Sequence, residues 1–390
     1  MRSHSNSRPF PGPPSRSSSF SSSPSPPSSP LLGKPLPSSP PRRRARTCHL
    51  CWLILIGATI LATMLLLRTL LLLTAPCAVL GGCYHGFRST FSFDAAAARH
   101  PSWMAALRND TRLTSLSVPG THDTMTYAIG SDVLQCQNVN LTVQLAAGLR
   151  YFDVRARLRD DALRIYHGDG DTGFSYQDVL LELFGFLADN PSETIIMRLK
   201  QEGGPLGSHN SLTFEQAVNY YRHNSSITAK LAGRHMHEWD PAAPLPTLGD
   251  LRSKILVLQN FPADNGGPAN KYGIAWEGDQ MVLEDVWIVP DVQHLPDKWT
   301  AIRDALIRAA ADVQDNKALY LAHVSASVGV LPIEAAAGPR NRTVVGMNDE
   351  TGRWLEAGGG SGGRTGVVIL DFPGKRVIEA VLARNDVYKA

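Results

Sequence analysis

Polar and apolar positions divide the first 74 residues into a polar tail and one long apolar run. Residues 1–47 are mostly Ser, Pro and Arg, a composition that buries too little apolar surface to offset the entropy of ordering, so we predict a disordered tail. The apolar run extends from Leu50 to Leu73 and contains one charge, Arg68. Roughly twenty apolar residues span a bilayer, so the pattern predicts a single transmembrane signal-anchor helix at 48–74.

The basic cluster "PRRRAR" at 41–46 precedes this run and favours a cytoplasmic N-terminus, which places the rest of the chain in the lumen or outside the cell. A cleaved signal peptide is the first alternative, but the region before the apolar run is unusually long. A buried core helix is the second, but such helices rarely run so far without polar residues.

After a predicted stem at 75–100, β-type runs alternate with helical patterns. The eight β-type runs are 113–118, 149–157, 163–167, 193–200, 254–259, 281–289, 318–325 and 366–372. Apolar residues at helical spacing occur at 175–190, 213–224, 297–313 and 374–385. This alternation predicts an α/β fold over 101–390, with a parallel sheet closed into an irregular barrel and covered by helices.

A doubly wound open sheet is the structural rival. That fold would carry a glycine-rich phosphate turn after its first strand, and none is found there. The glycine-rich stretch "AGGGSGG" at 357–363 precedes a strand instead, which is typical of a flexible loop.

The distribution of charged residues also separates the N-terminal region from the rest of the chain. The first 93 residues hold ten Lys or Arg and no Asp or Glu, so the remaining residues hold 28 of the 38 basic residues and all 35 acidic ones. An acidic body has no general attraction for nucleic acid or anionic lipid, so we expect no nucleic-acid partner. Contact with a membrane would depend on the anchor.

Cysteines and glycosylation sequons fit this topology. Cys48 and Cys51 lie beside the basic cluster, where palmitoylation is possible, and one pair among Cys77, Cys83 and Cys136 could form a disulfide in an oxidising compartment. Four Asn-X-Ser/Thr sequons suit a lumenal body, although about two are expected by chance; they begin at Asn109, Asn140, Asn224 and Asn341.

Polar side chains collect where the predicted strands end. In a parallel α/β barrel these ends share one face, where loops build the active site. The residues concerned are His122, Asp123, Asp153, Arg155, His167, Lys200, Glu202, Asp285 and Asp371. Two histidines flanked by carboxylates suit one base and one acid, and an arginine between them suits a phosphate.

Each of these residues also has a plainer interpretation. A single histidine after a strand is usually a hydrogen-bonded structural residue, and Asp153 with Arg155 could be a buried ion pair. Metal-assisted hydrolysis is the chemical rival, since His122, Asp123 and Asp153 could ligate a divalent ion. Arg155 on the same strand would repel that cation, which favours a site without metal or cofactor.

Five stretches of the chain resemble a known family. They are "SVPGTHDTM", "GLRYFDVRAR", "YHG", "DVLLELFGFLADNPSETIIMRLKQE" and "VVILDF". The sequence is similar to the X-domain of bacterial-type phosphatidylinositol-specific phospholipase C, closely over 112–202 and more loosely to about 373. The resemblance implies a distorted barrel of the triosephosphate-isomerase type. It also implies metal-free cleavage of phosphatidylinositol to diacylglycerol and inositol 1,2-cyclic phosphate, with no cofactor.

The resemblance also implies roles for individual residues. His122 resembles the general base, oriented by Asp371, and His167 resembles the acid, with Asp123 as its partner. Arg155 resembles the residue that stabilises charge on the phosphate. Three further positions resemble those that contact the inositol: Lys200, Asp285 and Trp287, the last of which is usually Tyr in bacterial enzymes.

Two departures concern the head group and a hydroxyl. Where bacterial enzymes carry an inositol-binding arginine after the fifth strand, this chain has Gln259 and Asn260, and Thr124 stands where Ser is common. The same chemistry on a glycosylphosphatidylinositol (GPI) anchor, or a catalytically silent lipid- or glycan-binding barrel, are the alternative functions. No obligate protein partner is inferred.

Overall fold

The computed structural model describes residues 49–74, 87–263 and 270–390, so the predicted tail, Cys77 and Cys83 lie outside the described residues. Helix α1 comprises His49–Thr74. Its stretch Trp52–Leu70 meets the length and composition of a membrane span.

Eight parallel strands form a nearly closed barrel. Twelve strands are described: β1 Val118–Thr121, β2 Tyr151–Arg159, β3 Ala162–His167, β4 Gly170–Ser175, β5 Ile195–Gln201, β6 Ile255–Asn260, β7 Ile274–Ala275, β8 Met281–Glu284, β9 Ile288–Val289, β10 Leu319–His323, β11 Ser327–Val328 and β12 Val367–Leu370. The barrel order is β7-β6-β5-β2-β1-β12-β10-β8, and no pairing of β7 with β8 is found in the described residues. The predicted α/β barrel is confirmed.

The third predicted run is not a barrel strand, which corrects the sequence analysis. Strand β3 pairs antiparallel with the outer half of β2 and then with β4. A connection this short cannot cross between parallel strands. Asp160 and Asp161 instead form a two-residue hairpin turn, with φ values of 50° and 62° that match the twist of the flanking strands.

Two other strands differ from the prediction. The eighth barrel position belongs to β7, which has only two residues and therefore leaves no periodic signal. The first strand begins later than predicted, because Leu113–Ser115 forms a 3-10 turn and only Val118–Thr121 joins the sheet. Within it, Gly120 allows close packing, since a Cβ there would lie 2.5 Å from the Cβ of Tyr151.

Helices cover the outside of the barrel. They are α2 Leu141–Ala147, α3 Tyr176–Asp189, α4 Phe214–Asn219, α5 Ala229–His235, α6 Leu248–Leu251, α7 Leu295–Ala311, α8 Pro332–Ala337, α9 Met347–Glu356 and α10 Lys375–Leu382. The four predicted helices correspond to α3, α4 with a following π turn, α7 and α10. Helices α2, α5, α6, α8 and α9 were not predicted, because they have only four to ten residues and give a weak periodic signal.

Alternation along the strands builds two apolar layers. In β12, Val367 and Ile369 point into the barrel, whereas Val368 and Leu370 pack outward against helices. Strand β6 behaves likewise, with Leu256 and Leu258 inside. Because both faces of these strands are buried, both alternating sets of positions are apolar, and the strands form almost continuous apolar runs in the sequence.

The described part of the predicted stem packs on the barrel. Phe91 and Phe93 are fully buried, and the rings of Phe93 and Phe372 lie 5.9 Å apart. The backbone N–H of Phe93 donates to the carbonyl of Phe372, the residue that follows Asp371. Residues 87–93 therefore support the end of β12.

Candidate active site

His122 lies just beyond β1, at the barrel face formed by the C-terminal ends of the strands. Its backbone N–H donates to the carbonyl of Leu370, so the turn after β1 is fixed to the end of β12. This contact brings His122 to Asp371 from the far end of the chain. The Nδ1 of His122 lies 2.9 Å from Oδ1 of Asp371, and both side chains are largely buried.

His167 approaches from the β3–β4 hairpin, not from a barrel strand. Its Nδ1 lies 2.7 Å from the carbonyl of Leu134. A carbonyl only accepts hydrogen bonds, so Nδ1 carries the proton and Nε2 faces the site. That Nε2 lies 3.3 Å from Oδ2 of Asp123, as the resemblance implied.

Asp123 contacts both imidazoles, and not only that of His167, the partner that the resemblance implies. Its Oδ2 also lies 3.1 Å from Nε2 of His122. The residue has a positive φ of 41°, a conformation that Asp tolerates better than most residues. Its backbone N–H donates to Oδ2 of Asp153, which holds the turn in place.

Arg155 is surrounded by carboxylates. Its Nε lies 3.1 Å from Oδ1 of Asp123, and its Nη2 lies 2.8 Å from Oδ2 of Asp153. Its Nη1 lies 3.8 Å from Oε1 of Glu202. The Arg155 side chain is 11% exposed and lines the cleft together with both histidines.

Burial shifts the pKa values of this cluster. Burial, together with the Arg155 guanidinium, holds the pKa of His122 well below its ordinary value, so the imidazole is neutral near pH 7. Burial raises the pKa of Asp123 to about 6, against the lowering effect of Arg155. Burial also raises the pKa of Asp371 well above its usual range. For Asp153, burial is outweighed by Arg155 and Arg198, and the pKa is lowered.

The three predicted head-group residues line one cleft with these groups. The cleft has a volume of about 440 Å³ and contains Lys200, Asp285 and Trp287 beside both histidines. The Nζ of Lys200 lies 2.6 Å from Oε2 of Glu202, and the indole of Trp287 is about half exposed. All eight predicted site residues therefore come together.

Two functional candidates were missed. Arg198 also lines the cleft, and its position two residues before Lys200 on β5 puts both on one face, a signal that the sequence contained. His323 is fully buried behind the site; its Nδ1 lies 3.8 Å from Oδ1 of Asp285 and its ring lies 5.8 Å from that of His122. No sequence pattern distinguishes His323 from a structural histidine.

The residues that depart from the family pattern have structural contacts. Asn260 accepts hydrogen bonds from Arg198, whereas Gln259 bonds to the backbone of Phe261 and Tyr272. Thr124 accepts a hydrogen bond from the backbone N–H of Asp153.

One group of possible metal ligands lies within the site. Ligand atoms of His122, Asp123 and Cys136 lie within 4.8 Å of one another. Cys136 is a buried thiol with no disulfide in the described structure, and burial raises its pKa well above the usual value, which opposes formation of the thiolate that binds metals. Asp153, the third ligand in the metal hypothesis, is paired with Arg155 instead.

Comparisons with known proteins agree on one family. The sequence model of "Phosphatidylinositol-specific phospholipase C, X domain" matches residues 117–260. A 1-phosphatidylinositol phosphodiesterase from Listeria monocytogenes is 34% identical over 297 residues, which cover 73% of this chain and 84% of that protein. One from Staphylococcus aureus is 24% identical, over 76% of this chain and 90% of the relative.

Solved structures show the same fold. The phosphatidylinositol-specific phospholipase C from Listeria monocytogenes superposes with a TM-score of 0.59 and 30% identity, covering 74% of this chain and 100% of that one. A mutant of the Staphylococcus aureus enzyme gives a TM-score of 0.60 at 19% identity, covering 75% and 100%. Both structural matches cover about three quarters of this chain, and the chain belongs to the phosphatidylinositol-specific phospholipase C family.

Proposed function

We propose that this protein cleaves phosphatidylinositol to diacylglycerol and inositol 1,2-cyclic phosphate without a metal ion. One observation carries the proposal: two imidazoles and a guanidinium surround the buried carboxylate of Asp123 at the mouth of the cleft. The relatives named 1-phosphatidylinositol phosphodiesterase support the same substrate.

The first half of the reaction belongs to His122. Its neutral imidazole accepts the proton of the inositol 2-hydroxyl at Nε2, and the freed oxygen attacks phosphorus. Asp371, at Nδ1, orients the ring and stabilises the imidazolium that forms. Nε2 must exchange its contact with Asp123 for the substrate hydroxyl.

The second half belongs to His167 and Arg155. As the bond between phosphorus and the diacylglycerol oxygen breaks, His167 donates a proton from Nε2 to that oxygen. Asp123 stabilises the protonated His167 beforehand. Arg155 donates to the phosphate oxygens, where negative charge develops, in the place that a divalent cation would otherwise occupy. The cyclic ester retains the phosphate, and water restores the two protonation states.

Apolar side chains at the mouth of the cleft suit a lipid substrate. Strands β9 and β11 form a separate two-stranded sheet there, with Ile288 and Val328 exposed. Trp287 lines the cleft itself, and Val133 and Val328 line an adjoining groove that shares His167. Exposed apolar groups beside a catalytic cleft favour work at a bilayer surface.

The direct test is incubation of the purified chain with phosphatidylinositol vesicles in EDTA. Inositol 1,2-cyclic phosphate should appear at the same rate with and without chelator, because Arg155 supplies the positive charge. Loss of activity in EDTA with rescue by calcium would favour the metal mechanism. Binding to vesicles without any turnover would favour the alternative function of a catalytically silent lipid-binding barrel.

For localisation, we propose that 48–74 anchors the chain with its N-terminus in the cytoplasm. In this proposal 1–47 is the tail, 75–100 the stem and 101–390 the catalytic barrel. The asparagines of all four sequons are exposed, which suits glycosylation of a lumenal or extracellular body. Such a location favours GPI-anchored proteins as a second candidate substrate for the same chemistry.

Glycosidase treatment tests this topology. Protein isolated from a eukaryotic membrane should shift to lower apparent mass after removal of N-linked glycans, and the body should resist protease in sealed vesicles. An unglycosylated body that is digested by protease from the cytosolic side would reverse the proposed orientation.

A further inference from the structure

Arg198 lies at the floor of the cleft and has no part in the steps proposed above. In the sheet register it pairs with Asp153, whereas Lys200 pairs with Arg155. Because the parallel strands run toward the mouth, Arg198 lies one side-chain layer below the catalytic arginine. The Arg198 side chain nevertheless lines the cleft and is 7% exposed.

Two neighbours fix the orientation of this guanidinium. The Nε and Nη2 atoms donate to Oδ1 of Asn260 at 3.0 and 2.7 Å. The guanidinium carbon lies 3.6 Å from the ring centroid of Trp276, so one face is covered by the indole. These contacts hold the guanidinium in one orientation, with Nη1 on the edge that faces away from Asn260.

Charge neutralisation alone does not explain the position of Arg198. Oδ2 of Asp153 is already paired with Arg155, whose Nε and Nη2 atoms lie 2.9 and 2.8 Å from it. Nη1 of Arg198 lies 3.5 Å from the other oxygen, Oδ1, which has no hydrogen-bond partner in the described structure. Burying a guanidinium is costly when its donors stay unpaired. Apart from this 3.5 Å ion pair, no hydrogen bond from Nη1 is found within the described residues, so its donors can bind a ligand.

The same part of the cleft presents groups that suit a polyhydroxyl ring. Lys200 offers further donors, and the carboxylates of Glu277 and Asp285 offer acceptors. A ring hydroxyl both donates and accepts, so a mixture of these groups satisfies it better than a purely basic wall. A guanidinium fork reaches two adjacent acceptors at once.

We propose that Arg198 binds the inositol ring, donating from its Nη atoms to neighbouring ring hydroxyls. Asn260 and Trp276 are then positioning residues that hold the fork. This inference rests on the proposed function, because it names Arg198 as the residue that recognises the inositol head group of the proposed substrate. The phosphate would lie one layer above, at Arg155, so the buried carboxylate of Asp153 stands between the two guanidinium groups.

The test compares Arg198→Met with wild type in the full-length protein. Calorimetric titration with myo-inositol measures ring binding, and phosphatidylinositol vesicles give kcat and KM. We expect myo-inositol affinity to fall, and KM to rise, by about 10- to 100-fold, the usual effect of losing hydrogen bonds from a charged group. kcat should change less, because Arg198 does not touch the reacting atoms.

Three further variants complete the design. Arg376→Met is the matched control, since Arg376 also stacks on a ring, Phe91, but lies outside the cleft; it should leave affinity unchanged. Arg198→Lys keeps the charge without the fork, and Asn260→Ala frees the guanidinium; both should weaken myo-inositol binding even if Arg198→Met does not fold.

Wild-type affinity in Arg198→Met, or in both Arg198→Lys and Asn260→Ala, would overturn the proposal. So would a fall in kcat with unchanged affinity, which indicates a structural role beside Asp153. Calorimetry requires no turnover. Ring binding in a wild-type protein that cleaves no lipid would therefore contradict the proposed function and leave Arg198 as a ring-binding residue.

Discussion

Replacing His122 with alanine is expected to lower kcat by about 10²- to 10⁴-fold, the usual contribution of a positioned general base. Neither neighbouring imidazole can replace it, because His323 is buried behind it and His167 has its Nδ1 bonded to a backbone carbonyl. KM for phosphatidylinositol should change little, because the base acts on a proton in the transition state.

The measurement is initial-rate kinetics on phosphatidylinositol vesicles, with a thermal unfolding curve for each variant. His294→Ala is the matched control, since His294 also pairs with a carboxylate, Asp291, but is exposed and lies outside the cleft. His167→Ala should resemble His122→Ala. Near-normal turnover in either catalytic variant would contradict the two-histidine mechanism.

Replacing Arg155 is expected to have the second large effect. Arg155→Lys keeps one charge but loses the fork that contacts Asp123 and Asp153, so kcat/KM should fall by about 10²- to 10³-fold, as for loss of one donor to a developing oxyanion. Arg155→Met should also lower the free energy of unfolding by about 3–5 kcal/mol, because it leaves buried carboxylates unpaired.

Kinetics and denaturant unfolding separate these two contributions. Arg159→Lys is the control: Arg159 lies on the same strand and pairs with Asp171, but both are much more exposed. It should change neither activity nor stability appreciably. An active Arg155→Met variant, or one rescued by calcium, would show that the guanidinium does not stabilise the phosphate as proposed.

Periodicity was sufficient to predict the barrel but not its exact strands. Apolar runs reveal a strand that is buried on both faces, as in β5, β6 and β12. They do not reveal partner or direction, so β3 was counted as a barrel strand although it forms a hairpin with β2. A two-residue strand such as β7 is defined by its neighbours' hydrogen bonds and not by its own composition.

Site residues were predictable where a residue type suited to catalysis occurs at the end of a predicted strand. His122 and Asp371 are 249 positions apart, and the sheet pairing of β1 with β12 brings them together. The bridging position of Asp123 depends on its backbone conformation after the turn, which no residue pattern specifies. Arg198 was not predicted because the family pattern places its inositol-binding arginine at the end of β6, whereas Arg198 lies on the neighbouring strand β5.

The packing of residues 87–93 against the end of β12 determines how far the chain can be shortened without loss of the site. A cut before Phe87 would retain Phe91 and Phe93, and with them the support behind Phe372 and Asp371. A fragment beginning at residue 101 would expose that apolar surface and loosen the carboxylate that orients His122. Under the proposed topology, release of an active enzyme would thus require cleavage before Phe87.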